Sequence, residues 1–361
     1  MSQAPRIRVK FMGKAVRPED APHWLARFPG GVPRLGDCEF SLDPHNRRYD
    51  WLVVYDDLPP RAGERRTLWE EKLACPQAHS LLITTEPSAI KAYEPAYTRQ
   101  FGWVLTSQEP WALQHPHRIY TQPGLVWYYG ATGHGNAAIS VRGSYDQIAA
   151  NIPLAKTKDI STVCSAKAMK HTLHAARNEF VRRLQTVLPD LEVFGHGVRY
   201  AADKADTLDP YRYHIAIENH ASLHHWTEKL GDPFLGACLP LYHGCPNYAD
   251  YFPAESVLPI NIHDFDGSLE IIRRAVRDRE YDKRLPAILE SRRLYLDRFA
   301  LFPQLARLIA ERHTPGGADG NATICSRHLL RRRSPFHALG AGWARLRVAF
   351  LHRRYNRVGL P

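Results

Sequence analysis

Glu218 and Asn219 follow directly on an apolar run, Tyr213-His-Ile-Ala-Ile217, and Glu228-Lys229 come nine residues later, behind Thr227. Such a run reads as a buried strand, and ligands of open α/β sheets bind at the carboxyl ends of strands. Thr227 is a suitable N-cap, which places Glu228 and Lys229 in the first turn of the next helix. Backbone N–H groups and the positive end of the helix dipole favour an anion there, and Lys229 adds a point charge for it. Gly231-Asp-Pro233 makes that helix short or kinked. A capped surface helix with solvated charges accounts for the same residues.

A second cation fits the same chemistry. In AMKHTLHAARNEFVRRLQTVL, Met169, Leu173, Ala176, Phe180, Val181, Leu184 and Val187 follow helical spacing, and Arg177 sits on their stripe. An arginine on a buried face needs an anion, because an unpaired desolvated charge is costly. Either the side chain snorkels or pairs internally, or its guanidinium grips phosphate oxygens bidentately. His220, His224 and His225 invite a metal instead. They fall on a loop and match no H-E-x-x-H pattern, so no metal is expected. Asp264-Phe-Asp266 has a bare D-x-D shape, which a turn into the helix at Leu269 explains better. The six cysteines form no C-x-x-C pair, as expected of reduced thiols.

These residues need sheets to hold them. Arg6–Phe11, Trp51–Tyr55, Ser80–Thr84 and Gly102–Thr106 read as strands, with helical stretches at Arg65–Leu73 and Ala89–Thr98. A second series follows: strands at Ile160–Cys164, Glu192–Phe194, Tyr213–Ile217, Leu239–Tyr242 and Val257–Ile262, with helices at Ala168–Leu188 and Leu269–Leu301. Alternation of this kind argues for parallel sheets in an α/β protein, two halves facing each other across a cleft. The expected boundaries are 1–150, 151–315 and a tail at 316–361, set off by Gly316-Gly317-Ala-Asp-Gly320. No apolar run is long enough to span a membrane, and the N-terminus lacks a signal-peptide core.

The net charge of +11 over 361 residues suggests nucleic acid until it is located. From Asn321 onward there are nine arginines and no Asp or Glu, so the body carries only about +2. A nearly neutral body without basic-aromatic strands excludes nucleic acid as partner. In the tail, Leu339, Trp343, Leu346 and Phe350 form a helical stripe, with Arg345, Arg347, Arg353 and Arg354 nearby. A basic amphipathic helix rests on an anionic membrane surface, or else packs on the body with its arginines solvated.

The order of these motifs resembles glycosyltransferase family 10, the α-1,3/1,4-fucosyltransferases of bacterial type, most clearly in the C-terminal donor domain. The family's aromatic-rich strand, F-E-N-S and Y-[IV]-T-E-K have counterparts in Tyr211–Ile217, Glu218-Asn219-His220 and Trp226-Thr227-Glu228-Lys229. The later strand, glycine, asparagine and F-x-P match Leu239–Asn247 and Tyr251-Phe-Pro253, and the helix carrying Arg177 follows the strand ending at Cys164-Ser165. Together the matches cover roughly 158–270. The first half resembles the acceptor domain through Ile83-Thr-Thr-Glu86-Pro and Phe101–Thr106. His220 and His225 replace the serine and tyrosine of the family's pattern, so donor fit or sugar identity can differ.

The resemblance implies a GT-B fold, an α/β architecture of two Rossmann-like domains, with an N-terminal acceptor domain (1–150), a C-terminal GDP-sugar domain (151–315) and a basic tail (316–361). It implies an inverting transferase moving L-fucose from GDP-fucose to a glycan hydroxyl, α-1,3 to GlcNAc or Glc, as in a lipopolysaccharide O-antigen. Arg177 and Lys229 would bind the diphosphate, Glu228 the donor hydroxyls, and Asn219 the donor loop, with Glu218 and His225 also at the donor. Glu86 would be the catalytic base, with Asp56 and Asp57 in reserve. No cofactor is required, a divalent cation being at most stimulatory. The expected partners are GDP-fucose, an oligosaccharide or lipid-linked glycan acceptor, and an anionic membrane surface met by 321–361. The expected location is the cytoplasm, peripheral on the inner face of the membrane. The competing readings are a transferase of another nucleotide-sugar and a non-catalytic glycan- or membrane-binding relative.

Overall fold

The computed structural model describes residues 6–132, 138–164, 173–195, 197–316 and 322–358. The chain forms two compact units, one from the residues up to Gly124 together with those from Leu301 onward, the other from Leu125–Ala300.

In the first unit, β1 (Ile7–Gly13), β2 (Arg34–Leu35), β3 (Cys38–Ser41), β4 (Trp51–Tyr55), β6 (Ser80–Ile83), β7 (Trp103–Thr106) and β8 (Arg118–Tyr120) form one sheet, in the order β2-β3-β1-β4-β6-β7-β8. All neighbours are parallel except β2 and β3. Every residue of β4 and β6 is buried, as in parallel sheets covered on both faces, which explains the unbroken apolar run Trp51–Tyr55. The helices α1 (Ala21–Leu25) and α2 (Pro95–Thr98) are short. The helix expected over Arg65–Leu73 is absent: Glu70–Lys72 is a strand, β5, which falls between β4 and β6 in sequence. Extended backbone lets the buried Glu71 meet the equally buried Lys10 of β1 at 2.8 Å. A buried charge of that kind persists only when paired.

The second unit contains β9 (Ala131–Thr132) antiparallel to β10 (Ala138–Ile139), then α3 (Tyr145–Ala150), β11 (Lys158–Val163), α4 (His174–Val187), β12 (Leu191–Phe194), β13 (Tyr211–Ile217), α5 (Glu228–Leu235), β14 (Leu239–His243), β15 (Leu258–Pro259), α6 (Phe265–Arg277) and α7 (Glu280–Leu294). Its main sheet is fully parallel, in the order β12-β11-β13-β14-β15. Strand order therefore reverses between β11 and β13, the position at which such sheets open a ligand crevice at their carboxyl ends.

Several boundaries differ from expectation. The first unit ends at Gly124 rather than 150, because Trp127, Tyr129 and Ile148 are buried in the core of the second. The helix expected at 168–188 is ordered as α4 from His174, with 168–172 outside the described residues. The single helix expected at 269–301 is broken at Asp278-Arg279, where Arg279 has φ +54°, and again by a π turn at Tyr295–Phe299. After Ala300 the chain returns to the first unit with α8 (Leu301–Ala310). The segment expected as a separate tail then joins that unit's body. Its β16 (Thr323–Cys325) pairs antiparallel with β5, and Ile324 and Leu330 enter the core. The helices α9 (Arg327–Arg333) and α10 (Pro335–Val358) complete the chain as described. Glu94, itself buried, takes Arg327 at 2.5 Å and Arg331 at 2.7 Å, so two of the nine arginines fix the segment in place.

Candidate functional site

A cavity of about 220 Å³ opens in the second unit at the strand reversal, lined by Val163 from β11, Ile217 and Asn219 at the end of β13, His174 and Arg177 of α4, and Glu228 and Lys229 of α5. The parallel sheet brings together two sequence segments some fifty residues apart by pairing β11 with β13, Thr162 beside Ile215. Arg177, Asn219, Glu228 and Lys229, singled out in the sequence, thus share one wall.

Arg177 is buried. Its guanidinium donates to the side-chain carbonyl of Asn219 at 2.9 Å, while its Nε has no partner among the described residues. The Leu173 N–H, just ahead of α4, donates to the backbone carbonyl of Asn219 at 3.2 Å. Asn219 therefore holds both the helix start and the arginine head. The anion demanded by a buried arginine is not a protein carboxylate: no ion pair is formed with it among the described residues, and its partner Asn219 is neutral. Space for an external anion remains.

Glu218 points elsewhere. It is wholly buried and does not line the cavity. One carboxylate oxygen accepts the Thr227 backbone N–H and the other its hydroxyl, each at 2.8 Å. Gly244 leaves room for it, since a Cβ there would collide with Glu218 Cγ. Thr227 in turn caps α5 by accepting the Lys229 N–H at 3.2 Å. The Lys229 ammonium, a quarter exposed, lies 2.9 Å from Glu228. Burial pushes the Glu228 carboxyl up, but Lys229 and Lys204 outweigh it and hold it down at about 2. Lys229 is pushed above the ordinary lysine range: burial opposes this, and Glu228 and Glu218 overcome it. Both charges are thus fixed at neutral pH.

The histidines serve the loop. The His224 N–H donates to Asn247 Oδ1 at 2.8 Å, and its ring meets the Tyr251 hydroxyl at 2.6 Å. His224 carries φ +62°, and Trp226 beside it is fully buried against Tyr251, Phe252, Tyr295 and Phe299. His225 is buried against His220, their rings 5.5 Å apart, and does not line the cavity, contrary to the expectation that it touches the donor. Among the described residues no three His, Cys, Asp or Glu side chains gather as metal ligands.

Three residues of the cavity region escaped the sequence reading. Lys204, in a turn ahead of β13, reaches the cavity and meets the fully buried Asp232 of α5 at 2.6 Å. Asp232 also accepts the Tyr128 N–H, and burial pushes its carboxyl up to about 6 despite Lys204. His214, on β13, lines the cavity; Ser161 gives its hydroxyl to the Thr207 carbonyl at 2.6 Å, so His214 donates its Nδ1–H to Ser161 Oγ at 2.8 Å. Burial, aided by Lys204, pulls His214 down to about 3. Lys204 lies in no motif, Asp232 was read only as part of the break Gly231-Asp-Pro233, and His214 only as a member of the strand Tyr211–Ile217. Only the polar break in an otherwise apolar strand marked His214.

A sequence model described as glycosyltransferase family 10 (fucosyltransferase), C-terminal part, matches residues 154–277, the segment that builds this cavity. Residues 154–277 are a glycosyltransferase family 10 domain. No curated protein matches the chain. A crystal structure of an alpha1,3-fucosyltransferase is similar over 89% of this chain and 93% of the other, with TM-score 0.51 and 13% identity. That likeness carries the fold, the GT-B class expected from the sequence. Crystal structures of an alpha1,3-fucosyltransferase with GDP-fucose and with GDP give TM-scores of 0.46 and 0.45 at 13% and 14% identity, covering 88% and 84% of this chain and 94% of each of the others.

Outside the family 10 domain, the first unit presents three candidate bases at its own strand ends. Glu86 follows β6 and is exposed, its backbone carbonyl accepting from Gln108 at 2.8 Å. Asp56, after β4, has φ +74° and is engaged by Lys91 and by the Tyr93 hydroxyl at 2.5 Å. Asp57 is buried under the Arg327 and Leu58 N–H groups, and burial pushes it up to about 6. Of these carboxylates, Glu86 is the exposed one.

Proposed function

We propose that the protein transfers L-fucose from GDP-fucose, with inversion, to a hydroxyl of a cell-surface glycan, forming an α-1,3 linkage to GlcNAc or glucose, as in a lipopolysaccharide O-antigen. The observation that carries the reading is the convergence of Arg177 and Lys229 on one cavity, at the strand reversal of a domain whose sequence is that of family 10. A nucleoside diphosphate sugar brings the anion that buried Arg177 lacks. Arg177 and Lys229 would take its phosphate oxygens, with the positive end of the α5 dipole adding to their field. Glu228, ionised throughout the neutral range, accepts hydrogen bonds from donor hydroxyls.

In the reaction, the acceptor oxygen bonds to the anomeric carbon from the face opposite the diphosphate. The bond from that carbon to the phosphate oxygen breaks, and GDP leaves with the electron pair. Fixed cations offset the charge developing on the leaving group. Glu86 takes the acceptor's hydroxyl proton, as the base of an inverting displacement does. With two cationic side chains and a helix N-terminus on the diphosphate, the binding charge comes from the chain itself.

Donor hydrolysis and thermal shift with GDP-fucose, GDP-mannose and UDP-sugars test the proposal. GDP-fucose alone should stabilise the protein and be turned over, and Lys229→Ala should abolish both responses. A response to GDP-mannose without one to GDP-fucose would instead reassign the sugar, the outcome to which His220 and His225 would be relevant. Glu86→Gln should suppress transfer to an acceptor while GDP-fucose still stabilises the protein; unchanged transfer would remove Glu86 as the base.

A further inference from the structure

We infer that His214 is a specificity residue for the donor: its Nε2 faces the cavity as a fixed hydrogen-bond acceptor and takes a hydroxyl of a ring joined to the diphosphate. His214 acts here on the donor proposed above, and its role rests on that reading. A histidine within a buried strand is costly unless its ring nitrogens are provided for. Ile215, Ala216 and Ile217 beside it are buried and apolar, and His214 itself is only 5% exposed.

One nitrogen is provided for inside the protein. The Ser161 hydroxyl has a single proton, which it gives to the Thr207 carbonyl at 2.6 Å. Its oxygen must then accept from the ring at 2.8 Å, so Nδ1 carries the imidazole proton. Ser161 and Thr207 are both buried, so water does not compete for these bonds. Nε2 has no partner among the described residues, and His214 lines the cavity together with Lys204 and Glu228. Burial, aided by Lys204, pulls the ring down to about 3. At neutral pH Nε2 therefore holds a lone pair and no proton.

An acceptor in that place selects a hydrogen-bond donor on the ligand. Lys204 brings a cation with N–H groups to the same cavity. Acceptor and cation together suit a hydroxyl, which gives one hydrogen bond and accepts others. The cavity is small, about 220 Å³, and is also lined by Arg177 and Lys229. With the diphosphate on those two cations, the groups within reach of His214 are those bonded directly to it. These are the ribose on one side and the transferred sugar on the other, whereas the base stands one ring further off. His214 thus reads a sugar hydroxyl, and a ligand without it leaves the buried nitrogen unpaired.

The parent, His214→Asn and His214→Gln are titrated calorimetrically at neutral pH with GDP-fucose, GDP, and GDP lacking both ribose hydroxyls. Asn reaches only as far as Nδ1, so it keeps the bond to Ser161 and deletes the cavity acceptor. Gln reaches as far as Nε2 and can turn its carbonyl to the cavity, but gives up Ser161. His214→Asn should bind GDP-fucose about tenfold more weakly, and His214→Gln should recover most of that loss. Melting temperatures should rank the other way, with Asn above Gln. Affinities that follow the melting temperatures would overturn the inference, because His214 would then serve the fold alone. A loss confined to GDP-fucose places the hydroxyl on the transferred sugar, and a loss shared by GDP but not by its dideoxy form places it on ribose. An equal loss for the dideoxy form would overturn the inference, since an N–H of the base would be the group read. A parent that binds neither GDP nor GDP-fucose would remove the donor reading and this role with it. Unimpaired binding by His214→Asn, in a parent that binds, would remove this role alone.

Discussion

Both carboxylate oxygens of Glu218 are taken by Thr227, one by its backbone N–H and one by its hydroxyl, at 2.8 Å each. The end of β13 is thereby fastened to the start of α5 across the eight loop residues between Glu218 and Thr227. Thr227 is the cap from which Glu228 and Lys229 project, so a carboxylate outside the cavity determines where two cavity residues stand.

Substitution at Glu218 should therefore act through position rather than contact. Glu218→Ala leaves two buried donors without an acceptor, at about 1–3 kcal/mol each, and should lower the melting temperature while raising the donor KM about tenfold. Glu218→Gln retains one acceptor oxygen and should fall between the parent and Glu218→Ala in both measurements. A Gln variant as impaired as Ala would show that the charge, not the Thr227 anchor, is what matters.

Arg177 and Asn219 should behave as one unit. The hydrogen bond between them involves a charged group, worth about 1.5–3 kcal/mol, and without it the guanidinium loses its orientation. Asn219→Ala should weaken GDP binding about tenfold, and Arg177→Lys, which removes the planar fork, by about a hundredfold. Calorimetric titration of the double variant should match Arg177→Lys alone. Additive losses would mean that Asn219 has a separate contact with the nucleotide.

What the sequence conveyed of this site was the part carried by local rules. Arg177 stood out because a charge interrupted a helical apolar stripe, and Thr227-Glu228-Lys229 because a capping residue preceded two charges. The roles within the motif were less legible. Glu218 and Asn219 are adjacent, yet the alternation of a strand end sends one into the protein and the other to the cavity wall, a distinction that pattern alone leaves open. Lys204 was invisible because a turn far from the motif delivers it through tertiary packing. Strands were well marked by their apolar runs. The unit boundary was not, since the burial of Trp127, Tyr129 and Ile148 and the return of the chain at Leu301 are decided by which core each aromatic joins. In α10 the stripe was evident, but the face that packs is set by Ala341, Ala344 and Val348, which no hydrophobicity pattern would favour.

Lys204 and Asp232 offer a test that separates stability from binding. Lys204→Met leaves Asp232 buried without its cation and should destabilise the protein by about 3 kcal/mol, as breaking a buried pair does. Adding Asp232→Asn removes the stranded charge and should recover most of that loss in urea unfolding. If Lys204 also contributes to the donor cavity, the double variant will be stable yet bind GDP more weakly than the parent. Full recovery of both quantities would confine Lys204 to a structural role.

His214 should make stability depend on pH below neutrality. Its folded pKa of about 3 lies beneath the ordinary 6.5 because the ring is buried, with Lys204 adding to the effect. Between those values the unfolded chain holds a proton that the folded chain does not, so stability falls as pH drops through 6.5 toward 3. From pH 7 to pH 5 the loss amounts to about 2 kcal/mol. Asp232 and Asp57, each raised to about 6, act with the opposite sign between roughly pH 4 and 6, so the contribution has to be isolated by difference. His214→Asn preserves a donor for Ser161 Oγ but carries no titrating group. It should lower stability at pH 7 through the smaller side chain and flatten the decline between pH 7 and pH 5 by about 2 kcal/mol. Urea midpoints measured across that range for the parent and the variant decide the matter: parallel curves would mean that His214 is not the group being protonated.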